Sequence, residues 1–96
     1  MKSAEIIKIL KEDKNYLEEN FGVNSISLFG SFAKNKENTN SDIDFFVEFN
    51  KPSYDSLMNL YAYLELKFQS KIDIVRKGPH ISEKFLNAIQ KDLIYA

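Results

Sequence analysis

Apolar positions along the chain follow two rhythms that take turns. Ile6, Ile7, Leu10, Leu17 and Phe21 recur at near-helical spacing and stop at Gly22, which predicts a packing helix capped by Ser3. From Asn24 to Phe29 the rhythm shortens, Ile26 and Leu28 alternating with serines, and a short strand ending at Gly30 is expected. A brief helix over Phe32–Lys36 should follow, then a polar turn from Glu37 to Ser41 rich in Asn and Ser. Asp42-Ile-Asp-Phe-Phe-Val-Glu-Phe49 is the clearest strand. Lys51-Pro52 breaks it, and Ser53 caps a helix through about Phe68 whose inward face is Leu57, Leu60, Tyr61, Leu64 and Phe68. Ile72–Val75 reads as a third strand. Gly78-Pro79 marks a turn, and Ser82 caps a last helix with Phe85, Leu86, Ile89 and Leu93 as its inward stripe. The order αβαβαβα predicts an α/β (α+β) fold, a short mixed sheet flanked by helices, in one domain over residues 1–96 without repeat or linker.

Composition narrows the function classes. With 44% apolar residues in 96, one small core is expected, of modest stability unless a partner covers part of it. There is no cysteine, which excludes disulfides and thiolate metal sites, and the single histidine, His80, cannot build a metal site alone. Charges interrupt every apolar run, so neither a signal peptide nor a membrane span is expected, and the protein reads as cytoplasmic. A net charge of -1 provides no broad cationic field, which disfavours extended nucleic-acid substrates. A mononucleotide carried with its own metal remains compatible.

Asp42 and Asp44 stand two apart on a predicted strand, so both side chains leave one face while Ile43, Phe45 and Val47 leave the other. Two carboxylates so close are unfavourable unless a cation, a proton or solvent relieves them, and a hard oxygen pair suits Mg²⁺. Asp73 lies between Ile72 and Ile74 in a strand expected to be largely buried, where a lone carboxylate is costly. If that strand adjoins the first pair, a third carboxylate completes a site able to hold metal and to take a proton from an attacking hydroxyl. Gly30-Ser31 falls where a strand turns into a helix, a place suited to phosphate, with a serine hydroxyl to add a hydrogen bond. Each feature alone has a plain structural reading: a solvated strand start, a strand-ending turn, an edge-strand charge that opposes aggregation.

Together they form a longer string. Ten residues separate Ser31 from Asp42 in Gly30-Ser-Phe-Ala-Lys-Asn-Lys-Glu-Asn-Thr-Asn-Ser-Asp-Ile-Asp44, with strand-borne Asp73 beyond. This resembles the signature of the polymerase-β-like nucleotidyltransferases: Gly-Ser, a ten-residue spacer, then Asp-x-Asp. Within that superfamily the chain looks like the minimal nucleotidyltransferase antitoxins, over nearly its whole length. The resemblance implies transfer of AMP from Mg-ATP to a tyrosine of a partner HEPN-domain toxin, neutralising it. Gly30, Ser31 and Lys34 would then bind the nucleotide, and Asp42, Asp44 and Asp73 would be the catalytic and metal-holding residues, with Mg²⁺ and also Mn²⁺ acceptable. One departure stands out, since Lys34-Asn35 occupies the place of the family's frequent Arg-Gly; lysine keeps the charge and loses the bidentate grip, which implies weaker ATP binding. Two other readings compete: a binding module on the same fold that neutralises a partner by occlusion, and a transferase for a small molecule or an RNA end.

Overall fold

The computed structural model describes residues 1–96. Nine elements follow in the order α1 (Ser3–Glu12), α2 (Lys14–Phe21), β1 (Val23–Phe29), α3 (Gly30–Ala33), β2 (Ile43–Phe49), α4 (Tyr54–Phe68), β3 (Ile72–Arg76), α5 (Glu83–Gln90) and β4 (Ile94–Tyr95). The strands form one mixed sheet in the order β3-β2-β1-β4. β1 runs antiparallel to β2 and β4, and β2 runs parallel to β3, whose return crossover is α4.

Alternation along β2 divides the sheet into two unlike faces. Ile43, Phe45, Val47 and Phe49 join Ile26, Leu28, Ile72 and Ile74 in one apolar cluster with Ile6, Leu10, Leu17, Leu60, Leu64 and Phe68 from α1, α2 and α4. Phe45 and Phe68 pack with ring centroids 5.8 Å apart. The opposite face carries Asp44, Phe46 and Glu48, paired in register with Phe29, Ser27 and Ser25. Only α5 lies over this second face. Phe85 meets Phe29 edge to face at 6.0 Å, and Leu86, Ile89 and Leu93 line a groove with Phe46 and Tyr95. The expected inward stripe is therefore present on α5 as Phe85, Leu86 and Ile89, each only half-buried, while Leu93 falls beyond the helix, which ends at Gln90.

Four details differ from the sequence expectations. The first helix is two: Asp13 ends α1 and precedes α2, and its carboxylate accepts hydrogen bonds from the Tyr63 hydroxyl at 2.7 Å and from Lys67, both on α4. Leu10 and Leu17 keep a seven-residue phase across that joint, which hides it from periodicity. Lys2, not Ser3, is the N-cap of α1, and the Ser3 hydroxyl lies 3.4 Å from Asn35 Oδ1. The short helix begins at Gly30 rather than Phe32 and is a single turn anchored by buried Phe32. A fourth strand closes the sheet, where Tyr95 pairs with Ser27 and Ile94 with Leu28.

Candidate nucleotidyl-transfer site

The second sheet face concentrates the chain's unusual chemistry at one end. Asp44 is the second residue of β2, opposite Phe29 on β1 and beside Asp73 on β3, so the two carboxylates are direct cross-strand neighbours. Asp42 comes just before β2, two residues from Asp44 on the same alternation. The expected meeting of β2 and β3 is thus observed. One premise behind it is corrected: β3 is an edge strand and Asp73 is exposed, not buried, while its neighbours Ile72 and Ile74 turn into the core. The Tyr61 hydroxyl bridges the open edge of β3, accepting from the Ile74 N–H at 3.0 Å and reaching its carbonyl at 3.3 Å.

The Gly-Ser turn is built against the same carboxylate. Gly30 has φ +74°, a left-handed conformation that favours glycine, and a Cβ there would run into the Asp44 carboxylate. The one-turn helix α3 then presents Ser31, half-buried, immediately after that contact. Asn35 also has positive φ, +58°. This gives a physical account of the Lys-Asn departure, since asparagine tolerates the left-handed region better than other side chains and can stand where glycine would otherwise be needed. Lys34 is exposed and lies 3.9 Å from Asp92, a residue just past α5 that sequence reasoning did not single out.

Electrostatics mark Asp44 as the centre of the group. Partial burial, then the charges of Asp73 and Asp42, push its pKa up to about 6. None of the chain's four ion pairs involves Asp42, Asp44 or Asp73, so no protein cation relieves them. Their donor set is carboxylate oxygen only, fitting a hard divalent cation such as Mg²⁺ or Mn²⁺. No three His, Asp or Glu side chains are already closed around a common point. The carboxylates form a row along the sheet end, with the glycine turn at its side.

A family model for the polymerase beta nucleotidyltransferases matches residues 6–96. The chain belongs to that family. Among relatives of this nucleotidyltransferase, one from Methanocaldococcus jannaschii, named as a candidate protein adenylyltransferase, is 38% identical over 95 residues, covering 96% of this chain and 95% of its own. The protein adenylyltransferase MntA of Thermococcus cleftensis is 32% identical over 92 residues, 95% and 92% of the two chains. A crystal structure of the toxin-antitoxin MntA-HpeT with two aspartate-to-glutamate substitutions shares the fold at TM-score 0.68 and 20% identity, covering 99% of this chain and 72% of that one. A toxin-antitoxin crystal structure with AMP-PNP superposes at TM-score 0.56 and 25% identity over 69% of this nucleotidyltransferase and 56% of its counterpart. No helix of the chain is long and apolar enough to cross a membrane.

Proposed function

We propose that this nucleotidyltransferase moves AMP from ATP onto a hydroxyl of a partner toxin and so acts as its antitoxin in the cytoplasm. The observation that carries this reading is the contact of the Gly30 turn with Asp44 while Asp73 stands beside Asp44 in register. Phosphate groups and carboxylates would then share one small volume, which phosphoryl chemistry requires. Relatives across nearly the full chain bear the name protein adenylyltransferase, and a counterpart of similar fold was crystallised with an ATP analogue.

In this mechanism Gly30 and Ser31 hold the triphosphate, with Ser31 donating its hydroxyl hydrogen to a phosphate oxygen and Lys34 reaching the same charge from the far end of α3. Asp42, Asp44 and Asp73 hold the divalent metal, which when bound neutralises charge on the transferring phosphate. The partner's hydroxyl oxygen, of a tyrosine on a HEPN-domain toxin in our reading, attacks the α-phosphorus. The new oxygen–phosphorus bond forms as the bond to the bridging oxygen of the β-phosphate breaks, and pyrophosphate leaves. Exposed Asp73, the carboxylate nearest the open edge, receives the hydroxyl proton.

Incubation of the purified chain with its cognate toxin and α-labelled ATP tests this directly. Label should appear on the toxin with Mg²⁺ and vanish with Asp42→Asn/Asp44→Asn. Label transfer unchanged in that variant would sink the proposal. Full toxin inhibition by the variant without ATP would replace it with neutralisation by occlusion.

A further inference from the structure

The outward flank of α4 is not polar throughout. Tyr54, Met58, Ala62 and Leu66 follow one another four residues apart and form one ridge, with Tyr54 75%, Met58 44% and Leu66 73% exposed and Ala62 exposed as well. Half of the chain's large exposed hydrophobics therefore stand on a single line rising about 18 Å. Its place in the molecule follows from the rest of α4. Tyr63 and Lys67 turn toward α2, where Tyr63 stacks on Tyr16 at 5.1 Å and Lys67 pairs with Asp13 at 3.1 Å. Tyr61 turns the other way, onto the open edge of β3. At roughly 100° per residue the ridge lies beyond Tyr61, on the flank beside β3. A shallow cavity there is lined by Pro52, Ser53, Tyr54, Leu57 and Arg76, placing the Arg76 cation at the N-terminal end of the ridge. Glu65 lies on the same flank at the C-terminal end, and neither it nor Arg76 belongs to any of the four ion pairs.

We propose that this ridge is the contact between two copies of the chain, packed antiparallel about a two-fold axis. In that arrangement Tyr54 of one copy meets Leu66 of the other, and Met58 fills the space over the small Ala62, so large residues face smaller ones along the line. The same symmetry sets Arg76 of each copy opposite Glu65 of the other, twice, on the β3 side. Parallel packing would instead set Glu65 against Glu65 and Tyr54 against Tyr54. Charge and size thus select a second copy in one orientation. The inference goes beyond the proposed reaction and needs no nucleotide, because α4 sits on the core side of the sheet and leaves the aspartate face open.

Sedimentation equilibrium of the whole chain without nucleotide tests it, using wild type, Glu65→Arg, Arg76→Glu and an equimolar mixture of the two variants. The wild type should dimerise with a Kd on the order of 10 to 100 μM, as suits a contact this small. Each variant alone should bind itself at least about ten-fold more weakly, and the mixture should regain the wild-type affinity because each supplies the charge the other lacks. Leu66→Lys, at a largely exposed position, should abolish the dimer while leaving the circular-dichroism spectrum and melting transition intact. A wild type that stays monomeric up to about 1 mM, or a mixture no tighter than its components, overturns the proposal and leaves the ridge to a different protein.

Discussion

Gly30 and Gly22 share a left-handed backbone, φ +74° and +67°, yet differ in what surrounds them. Nothing lies within 4 Å of a Cβ at Gly22, whereas one at Gly30 meets the Asp44 carboxylate. Alanine at either position should cost about 1 to 2 kcal/mol in urea unfolding from backbone strain. Only Gly30→Ala should also abolish the proposed transfer, because its methyl displaces Asp44; equal transfer by the two variants would deny the turn a role in the site. Asp44 itself gives a pH prediction. Its folded pKa is raised from 3.8 to about 6, so the stability it contributes is full below 3.8 and is lost as pH rises through about 6. Metal-free protein should therefore melt lower at pH 8 than at pH 5 through this group, and Asp44→Asn should narrow the difference. Scanning calorimetry at the two pH values decides it, and Mg²⁺ should raise the melting temperature at pH 8 more than at pH 5.

At the scale of elements, α2 and α4 are joined through a polar contact as well as apolar packing. The Tyr63 hydroxyl donates to Asp13 at 2.7 Å, and burial with that carboxylate's charge pushes the phenol pKa up. Tyr63→Phe should lower stability by about 1 to 2 kcal/mol by urea unfolding while leaving the proposed transfer intact. This joint also shows where sequence reading reached its end. The long helix α4, its Ser53 cap and its inward face were legible because the break at Pro52, the cap and the spacing of Leu57, Leu60, Leu64 and Phe68 all agree, although apolar residues stand on its outward side as well. So was the pairing of Gly30-Ser31 with Asp42 and Asp44, since its spacing is local. The break at Asp13 was not, because the apolar phase continues through it. Nor was β4, whose two residues carry no rhythm and exist as a strand only because β1 presents a free edge. The exposure of Asp73 was hidden for a related reason, as sheet order, which decides whether a strand lies at an edge, is not written in the strand's own residues.

For the molecule as a whole, size sets the terms. A chain with a radius of gyration of 12.6 Å and 19 buried residues of 96 has little stability in reserve. Phe45 is fully buried and touches the core from the middle of β2. Phe45→Ala should cost about 3 to 5 kcal/mol, enough to leave much of the chain unfolded near 37 °C, as thermal circular dichroism would show. A loss below about 1 kcal/mol would mean that the core does not depend on that ring.

The division of the sheet into a packed side and a reactive side has an evolutionary corollary. Folding depends on residues that point one way and chemistry on residues that point the other, so the two can drift apart under selection. A descendant that exchanged its aspartates for neutral side chains would lose its reaction without losing its shape, and would even shed the mutual repulsion those charges impose. Lineages of this fold can therefore retire from catalysis cheaply, and sequence divergence at these three positions is a sounder guide to lost activity than divergence anywhere in the interior.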